Sequence, residues 1–264
     1  MSAGHPYRVL AAGCWPVSRL TSQRVPSTFS PPPEVVAMVE VAWSAAQAKA
    51  GSALFDGPVV RLESWTAGAV GFALTCSTTS YKWFFGTNGR NAAFVRPWGP
   101  TALANAIGTS AALLSTDGWL VFGRRAASLA LYAGYAHPLG GMLEVHELTD
   151  PTVGILRELA EEVGCTAADV EDVVLLGLGE DQALAQPELV WRVRSRLTRA
   201  VLESRLNHEE HAGTWCVEAT PEGLLAALAA NDVTAITRIT LLLYGRQAFG
   251  AAWSARADSA SPAR

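Results

Sequence analysis

The chain has 264 residues, of which 50% are hydrophobic and 17% charged, and its formal net charge is −4. This composition argues against a disordered chain and against a basic surface that binds nucleic acid. Four widely spaced cysteines form no CxxC pair, which argues against a zinc knuckle and favours a reduced, cytoplasmic protein. No apolar run reaches the roughly 20 residues of a membrane helix. We therefore expect no nucleic-acid or membrane partner, and a monomer or homodimer.

The first 102 residues predict an α+β lobe. Apolar residues recur at about 3.6-residue intervals after a proline-rich connector, which indicates a helix. Runs of β-branched and apolar residues indicate strands on either side. The predicted elements, in chain order, are a strand (8–14), the connector (24–33), a helix (34–50), two strands (59–65 and 69–75), a short helix (79–85) and a loop containing 96–100.

Residues 103–250 predict a second domain with a mixed sheet. Two apolar runs flank Asp117-Gly118, a dipeptide typical of a tight hairpin. A strand through Val145 follows. Asp150 as N-cap and Gly164 as terminator bound a helix over 151–163. The remaining predicted elements are strands (172–178, 188–196 and 213–218) and helices (198–206, 221–230 and 234–249), before a flexible tail over 251–264.

The helix over 151–163 carries an acidic face. Glu158, Glu161 and Glu162 stand at positions i, i+3 and i+4, so their side chains share one side of the helix. Carboxylates this close repel one another unless a cation lies among them, and oxygen ligands suit Mg²⁺ or Mn²⁺. Arg157 could hold one of the glutamates through a bidentate contact. The alternative is a solvated acidic face with one local salt bridge.

The order of residues around this helix resembles the Nudix box. Gly141 is followed by five residues and Glu147, and later by Arg157-Glu-Leu-Ala-Glu-Glu-Val-Gly-Cys165. Two departures are present. Cys165 replaces an aliphatic residue, and nine residues instead of seven separate Glu147 from Arg157. The longer spacing keeps the acidic face intact but leaves the role of Glu147 open.

Similarity extends beyond the box to the mammalian UDP-sugar diphosphatase branch of the Nudix family. It is carried by residues 54–58 with 61–62, 79–88, 111–125 and 145–148. The resemblance implies a Nudix α/β/α sandwich whose N-terminal lobe helps to hold a nucleotide sugar. It also implies hydrolysis of UDP-glucose or UDP-galactose, with Mg²⁺ or in its place Mn²⁺, to UMP and the sugar 1-phosphate.

The resemblance assigns metal ligands on the helix and its preceding turn. Glu158 and Glu162 would hold the metal, with Glu161 as an outer or second-metal ligand and the carbonyl of Gly140 as a further ligand. Together with Arg157 these glutamates would be catalytic. Glu210, in a loop before a strand, is the candidate for a further ligand or base.

Substrate contacts are expected at two aromatic and two charged residues, Phe55, Tyr81, Arg125 and Glu144. Aromatic rings can stack on uracil and an arginine can bind a diphosphate. Core packing for the rings and a surface charge pair for the arginine remain open as alternatives. The lobe is expected to pack with both rings near the turn at 140–141.

Several residues and functions stay open at this stage. His137 and Met142 differ from the relative, so sugar and base preference are not fixed. Glu188 is a second candidate glutamate, whereas His208 and His211 lack a third soft ligand for zinc. ADP-ribose, NADH or a dinucleotide polyphosphate are alternative substrates. A non-catalytic nucleotide-binding module is a third possibility, against which the intact box residues argue.

Overall fold

An eight-stranded mixed sheet forms the centre of the molecule in the computed structural model, which describes residues 6–50, 54–127 and 131–260. The strands lie in the order β1-β9-β10-β5-β6-β11, with β7 paired to β6 and β8 to β5. Only β5 and β10 run parallel among the described pairs of this sheet. Its strands are β1 (Tyr7–Pro16), β5 (Gly108–Leu114), β6 (Trp119–Arg125), β7 (Ala136–His137), β8 (Leu139–Met142), β9 (Val170–Asp181), β10 (Gln186–Ser195) and β11 (His211–Glu218).

Helices cover both faces of this sheet, which confirms the predicted α/β/α sandwich. Successive side chains of a strand point to opposite faces. Trp191 of β10 accordingly packs with Ile155 and Leu159 of one helix, whereas Val190 joins the core under two others. The covering helices are α4 (Pro151–Val163) on the first face, and α6 (Pro221–Leu228) and α7 (Ala235–Ala260) on the second, with α5 (Arg199–Ser204) between β10 and β11.

The N-terminal lobe contains a second sheet, in the order β2-β4-β3, and three helices. Its elements are β2 (Leu20–Arg24), α1 (Pro33–Ala50), β3 (Pro58–Ala67), β4 (Phe72–Ser80), α2 (Tyr81–Gly86) and α3 (Asn88–Val95). The backbone N–H of Val60 donates to the carbonyl of Leu143 at 2.9 Å, and its carbonyl accepts from Ile107 at 2.9 Å. Phe72 and Leu74 belong to the same apolar core as α4. The lobe is therefore continuous with the sandwich in hydrogen bonding and in packing.

The observed elements differ from the predicted ones at several places, among them strand β2, which was not predicted. Strand β1 lies before residue 102 but pairs with β9, so the two sheets do not divide where the sequence suggested. The pairing partner of an edge strand is set by long-range contacts. Helix α3 was not predicted. The chain through Val145 forms a 3₁₀ turn and not a strand. Helix α7 has a kink at Gly250, where φ is 77°, directly after the predicted helix end, and a second helical stretch then runs to Ala260, where a flexible tail was predicted.

The extension of α7 is held by tertiary contacts. Trp253 and Ala257 are buried, and the Trp253 indole donates to the carbonyl of Pro221 at 3.0 Å. Residues 261–264 of the predicted tail lie outside the described residues. In the described ranges of the chain, no helix combines the length and the hydrophobicity needed to cross a membrane.

Candidate metal and nucleotide site

The acidic helix α4 begins and ends as its sequence predicts. The Asp150 carboxylate accepts a hydrogen bond from the Thr152 N–H at 3.1 Å, and Pro151 occupies the first turn. Gly164 ends the helix in the left-handed conformation at φ 56°. The unusually long spacing between Glu147 and Arg157 consists of a loop (148–150) and the first residues of α4 (151–156). The insertion therefore leaves the helix register unchanged.

Arg157 organises the carboxylates around the start of the acidic face. Its Nε donates to Glu147 Oε1 at 2.8 Å, and its Nη1 donates to Glu161 Oε2 at 2.9 Å. Its Nη2 lies 3.0 Å from Glu158 Oε1 and also donates to the carbonyl of Met142. Glu147 is buried. Glu147, whose role the sequence left open, is therefore the buried partner of Arg157.

Glu162 is buried between the glycine turn and β11. The Gly140 N–H donates to its Oε2 at 2.8 Å, and His211 Nε2 lies 3.2 Å from its Oε1. Gly140 has φ 149°, and a Cβ there would lie 2.0 Å from the Thr109 carbonyl oxygen, so only glycine fits. A backbone donor of the glycine turn and a histidine of β11 therefore position this carboxylate from two sides.

Glu158 approaches the neighbouring position of this turn. A Cβ on Gly141 would lie 2.3 Å from its Oε1, so the missing side chain makes room for the carboxylate. Burial raises the pKa of Glu158 to about 8; Arg157 opposes the shift and Glu162 adds to it. Burial likewise raises the pKa of Glu162, against the effect of His211. Two partly desolvated carboxylates at one turn thus carry an electrostatic cost that a cation would relieve.

The donor chemistry of Glu158 and Glu162 fits a hard divalent cation, because carboxylate oxygens are the ligands such ions prefer. A three-carboxylate site is not assembled, however. Within residues 6–50, 54–127 and 131–260, no three His, Cys, Asp or Glu side chains form a metal-binding group. The Glu161 side chain is 57% exposed and pairs with Arg157. The structure thus does not bring Glu161 to the turn, and Gly140 meets Glu162 through its N–H.

A large cleft, here called the aromatic cavity, opens beside these carboxylates with a volume of about 1010 Å³. The lobe contributes Phe55 and Tyr81 to its wall. Phe55 is 73% exposed, so its ring is not core packing. The sandwich contributes Glu144, Arg157, Glu158 and Glu210 among others. Both predicted aromatic residues therefore face the same space as the acidic helix.

A smaller space, here called the inner cavity, adjoins the aromatic cavity and has a volume of about 240 Å³. Tyr81, Met142 and Glu210 line both spaces. The inner cavity also includes Gly140, Gly141, Arg125 and Glu188 in its wall. The glycine turn thus lies in the smaller compartment, next to Met142, which lines both.

Arg125 and Glu188 bring opposite charges into the inner cavity. Arg125 Nε donates to the carbonyl of Leu131 at 2.9 Å. Burial lowers the pKa of this guanidinium, which Glu162, Glu210 and Glu188 partly offset. Glu188 is buried, accepts a hydrogen bond from the Ser110 hydroxyl, and has its pKa raised by burial to about 7. Arg125 is therefore a wall of the site and not a surface partner of Arg124.

The remaining predicted residues differ in burial and in their position relative to the two cavities. Glu210 is exposed at the junction, and Glu144 lies at the mouth with its N–H donating to Glu147 Oε2. His211 is buried against Glu162, whereas His208 is exposed, so the two histidines do not converge. His137 is hydrogen-bonded to Thr234 at 3.0 Å, and burial lowers its pKa. Cys165 is buried, where its thiol takes the place of the aliphatic residue.

Sequence reasoning missed three residues of the inner cavity: Tyr132, Asp181 and Gln186. The Tyr132 hydroxyl donates to the Asp181 carboxylate, which also accepts from the backbone N–H of Ala183. None of the three belongs to a recognisable motif. They meet the glycine turn only because β5 lies between β8 and β10 in the sheet.

Comparison with known proteins gives one consistent similarity. The Homo sapiens protein named uridine diphosphate glucose pyrophosphatase NUDT22 is 33% identical, over 52% of this chain and 55% of its own length. Its Bos taurus counterpart is 32% identical, over 50% and 56%. The chain resembles Nudix UDP-glucose pyrophosphatases. It spans about half the length of these relatives, and no family model matches it.

Solved structures with a similar course of the chain include two bacterial and archaeal proteins. DR0079 from Deinococcus radiodurans has a TM-score of 0.41 at 22% identity, covering 55% of this chain and 83% of its own. The MutT protein from Methanosarcina mazei has a TM-score of 0.38 at 18% identity, covering 55% and 95%.

Proposed function

We propose that the chain is a hydrolase that cleaves the diphosphate linkage of a nucleotide sugar in the presence of Mg²⁺, with Mn²⁺ as a substitute. Its substrate is UDP-glucose or UDP-galactose, and its products are UMP and the sugar 1-phosphate. The observation that carries this proposal is that Glu158 and Glu162 both lie against the glycine turn at 140–141, which lines the inner cavity, while Glu158 also lines the aromatic cavity. A diphosphate at that turn would leave one compartment for each of its two organic groups.

The resemblance to UDP-glucose pyrophosphatases supports the choice of substrate. The aromatic wall of the larger cavity supports it independently, because the exposed ring of Phe55 and the partly buried ring of Tyr81 offer planar surfaces for a nucleobase. Both residues come from the lobe, outside the part of the chain that carries the acidic helix. The lobe is thus part of the proposed active site.

Each charged residue at the turn has a role in this proposal. Glu158 and Glu162 hold the cation, which when bound neutralises charge on the phosphoryl oxygens and makes water more acidic. Arg157 keeps the carboxylates apart and oriented through its contacts with Glu147 and Glu158. Arg125 provides guanidinium donors for the substrate from the inner side. Glu161 serves Arg157 and not the cation.

Glu210 is our candidate for the residue that takes a proton from the attacking water. Glu210 lines both cavities and is exposed, so its carboxylate can pass a proton on to solvent. A general base must lie within hydrogen-bond reach of the water, directly or through a second water. Position at the junction satisfies this for water approaching either phosphorus.

Chromatography of Mg²⁺-containing reactions tests the proposal. UDP-glucose and UDP-galactose should yield UMP and the sugar 1-phosphate, whereas ADP-ribose, NADH and a dinucleotide polyphosphate should be cleaved more slowly. AMP release from ADP-ribose or NADH without UMP release from either UDP-sugar would show that the substrate is an adenine dinucleotide or ADP-ribose and not a UDP-sugar. Absence of turnover with every compound, together with tight nucleotide binding, would indicate the non-catalytic module.

A further inference from the structure

The inner cavity is too small for a whole nucleotide. Cavities that enclose drug-sized ligands are about 300–1,000 Å³, and this one is about 240 Å³. It can therefore receive one ring of a larger substrate. It touches Gly140 and Gly141, so a ring placed there would be attached to a group lying at the glycine turn.

Strand geometry directs several polar side chains into this space. Gln186 and Glu188 are two residues apart on β10, so their side chains leave the same face of the sheet. Asp181 of β9 is the cross-strand partner of Gln186 and shares that face. All three are at least nine-tenths buried. Burial of so many polar groups at one place is costly unless they have partners.

Part of the hydrogen-bonding capacity of this group is already used. Asp181 accepts from Tyr132, Ala183 and Leu184, so it fixes the position of the Tyr132 ring. One oxygen of Glu188 accepts from Ser110. These contacts make the cavity wall rigid without a ligand.

The remaining capacity is concentrated on three residues. Among the described residues, no hydrogen bond is made by Glu188 Oε2, by the Gln186 side-chain amide or by the Nη atoms of Arg125. Together these atoms offer both donors and acceptors. Tyr81, Phe84 and Tyr132 add aromatic surface to the same wall.

We propose that the inner cavity is the subsite for the hexose, with Gln186, Glu188 and Arg125 as the residues that bind its hydroxyl groups. This assignment rests on the proposed function. A hexose ring carries several hydroxyls, each both donor and acceptor, and so matches a wall of carboxylate, amide and guanidinium. Uracil offers one N–H donor and two carbonyl acceptors on a flat ring, which suits the aromatic cavity better. The two organic ends of the substrate thus lie on opposite sides of the glycine turn.

Gln186→Leu is the variant that tests this subsite. It keeps the approximate size of the side chain and removes the amide. Gln182→Leu is the matched control, because Gln182 lies in the β9–β10 turn just before Gln186 but lines a different cavity. Two constants are measured for each protein: the KM for UDP-glucose and the inhibition constant of UMP. Thermal unfolding shows whether each variant is folded.

The expected result for Gln186→Leu is an increase in KM for UDP-glucose of about 10-fold, the loss of one to two hydrogen bonds. The inhibition constant of UMP should change less than about twofold, and Gln182→Leu should behave as wild type. If Gln186→Leu is unstable, Gln186→Asn replaces it; the shortened amide should also raise KM and spare UMP.

Three outcomes would overturn the assignment in different ways. Parallel weakening of UMP and UDP-glucose by Gln186→Leu would place uracil in the inner cavity. Unchanged KM and inhibition constant in a folded Gln186→Leu protein would show that the substrate does not enter it. Failure of the wild-type protein to hydrolyse any UDP-sugar would refute the proposed function itself, and is detected before any variant is examined.

Discussion

Two arginine–glutamate clusters in this molecule have different energetic character. The lobe cluster consists of Arg61, Glu63, Thr28 and Ser77. The helix cluster consists of Arg157, Glu147, Glu158 and Glu161. In both, one arginine binds glutamate and backbone carbonyls, and most of the charged groups are shielded from water.

In the lobe cluster every charged group has partners. Glu63 accepts from Arg61, from Ser77 and from the backbone and hydroxyl of Thr28. Burial alone would raise the pKa of Glu63, but these hydrogen bonds together bring it below its ordinary value. Arg61 also donates to the carbonyls of Leu103 and Pro100, which join the lobe to the sandwich. This cluster is satisfied without a ligand.

In the helix cluster, burial dominates instead. Burial raises the pKa of Glu158 to about 8, and Glu162 and Glu161 add to the shift; Arg157 opposes it from 3.0 Å but is shared among three glutamates. A strongly shifted carboxyl in a cleft marks a functional site, whereas a satisfied ion pair marks a structural one. The number of partners per carboxylate, and not the presence of an arginine, therefore separates the structural cluster from the functional one.

The largest expected effect comes from removing the arginine of the lobe cluster. Arg61→Met should lower the free energy of unfolding by about 3–5 kcal/mol, because Glu63 would remain buried without its cation. Urea denaturation measures the change. The control Arg256→Met, at a 59% exposed side chain, should cost little. If Arg61→Met lowered the free energy of unfolding as little as Arg256→Met does, the lobe cluster would not be the structural one.

Removing a carboxylate from the acidic helix should reduce turnover and leave the stability of the fold unchanged. Glu162→Gln removes one anionic oxygen at the glycine turn and should reduce kcat by about 10²-fold or more, roughly 3 kcal/mol of barrier. Its thermal stability should be retained, but Mg²⁺ or Mn²⁺ should no longer raise its Tm. Glu222→Gln, on the exposed side of α6, is the control. Near-normal turnover of a stable Glu162→Gln protein would remove this residue from the metal site.

The buried carboxyl group of Glu188 should make the stability of the protein depend on pH. Its folded-state pKa of about 7 exceeds the ordinary 4.5, so the folded protein prefers the protonated carboxyl. The resulting penalty is absent below pH 4.5, grows between pH 4.5 and 7, and is complete above pH 7. Glu188→Gln should therefore be more stable than wild type by on the order of 2 kcal/mol at pH 8.

The same variant should match wild type near pH 4, and Gln can still accept the hydrogen bond from Ser110. Denaturation curves across this range measure the difference between the two proteins. A constant difference at all pH values would show that packing, and not ionisation, is responsible.

The smallest expected effect concerns the aromatic cavity. Phe55→Ala should weaken UMP binding by about 0.5–1.5 kcal/mol, the usual contribution of an aromatic contact, without changing Tm. Calorimetric titration with UMP gives the affinity. Phe94→Ala is the control, since Phe94 is also exposed on the lobe but packs against Trp98 outside the cavity. Equal affinity in both variants would remove Phe55 from the nucleotide site.

The sequence by itself determined the local elements around the site. Asp150, Pro151 and Gly164 act through neighbouring backbone groups, so the ends of α4 could be read from the chain. The spacing of Glu158 and Glu162 likewise fixes their common helix face. The hairpin at Asp117-Gly118 is also a local signal, whereas the sandwich with helices on both faces was implied by the resemblance to the Nudix family.

Only the tertiary structure decided which residues meet across the sheet. The pairing of β1 with β9, the burial of Trp253 and the meeting of Gln186 with the glycine turn join segments far apart in the chain. The role of Glu147 also required it, because its burial against Arg157 depends on the path of the loop between them, which the sequence did not reveal. The physical reason is that strand order and carboxylate burial depend on long-range packing, which no local periodicity encodes.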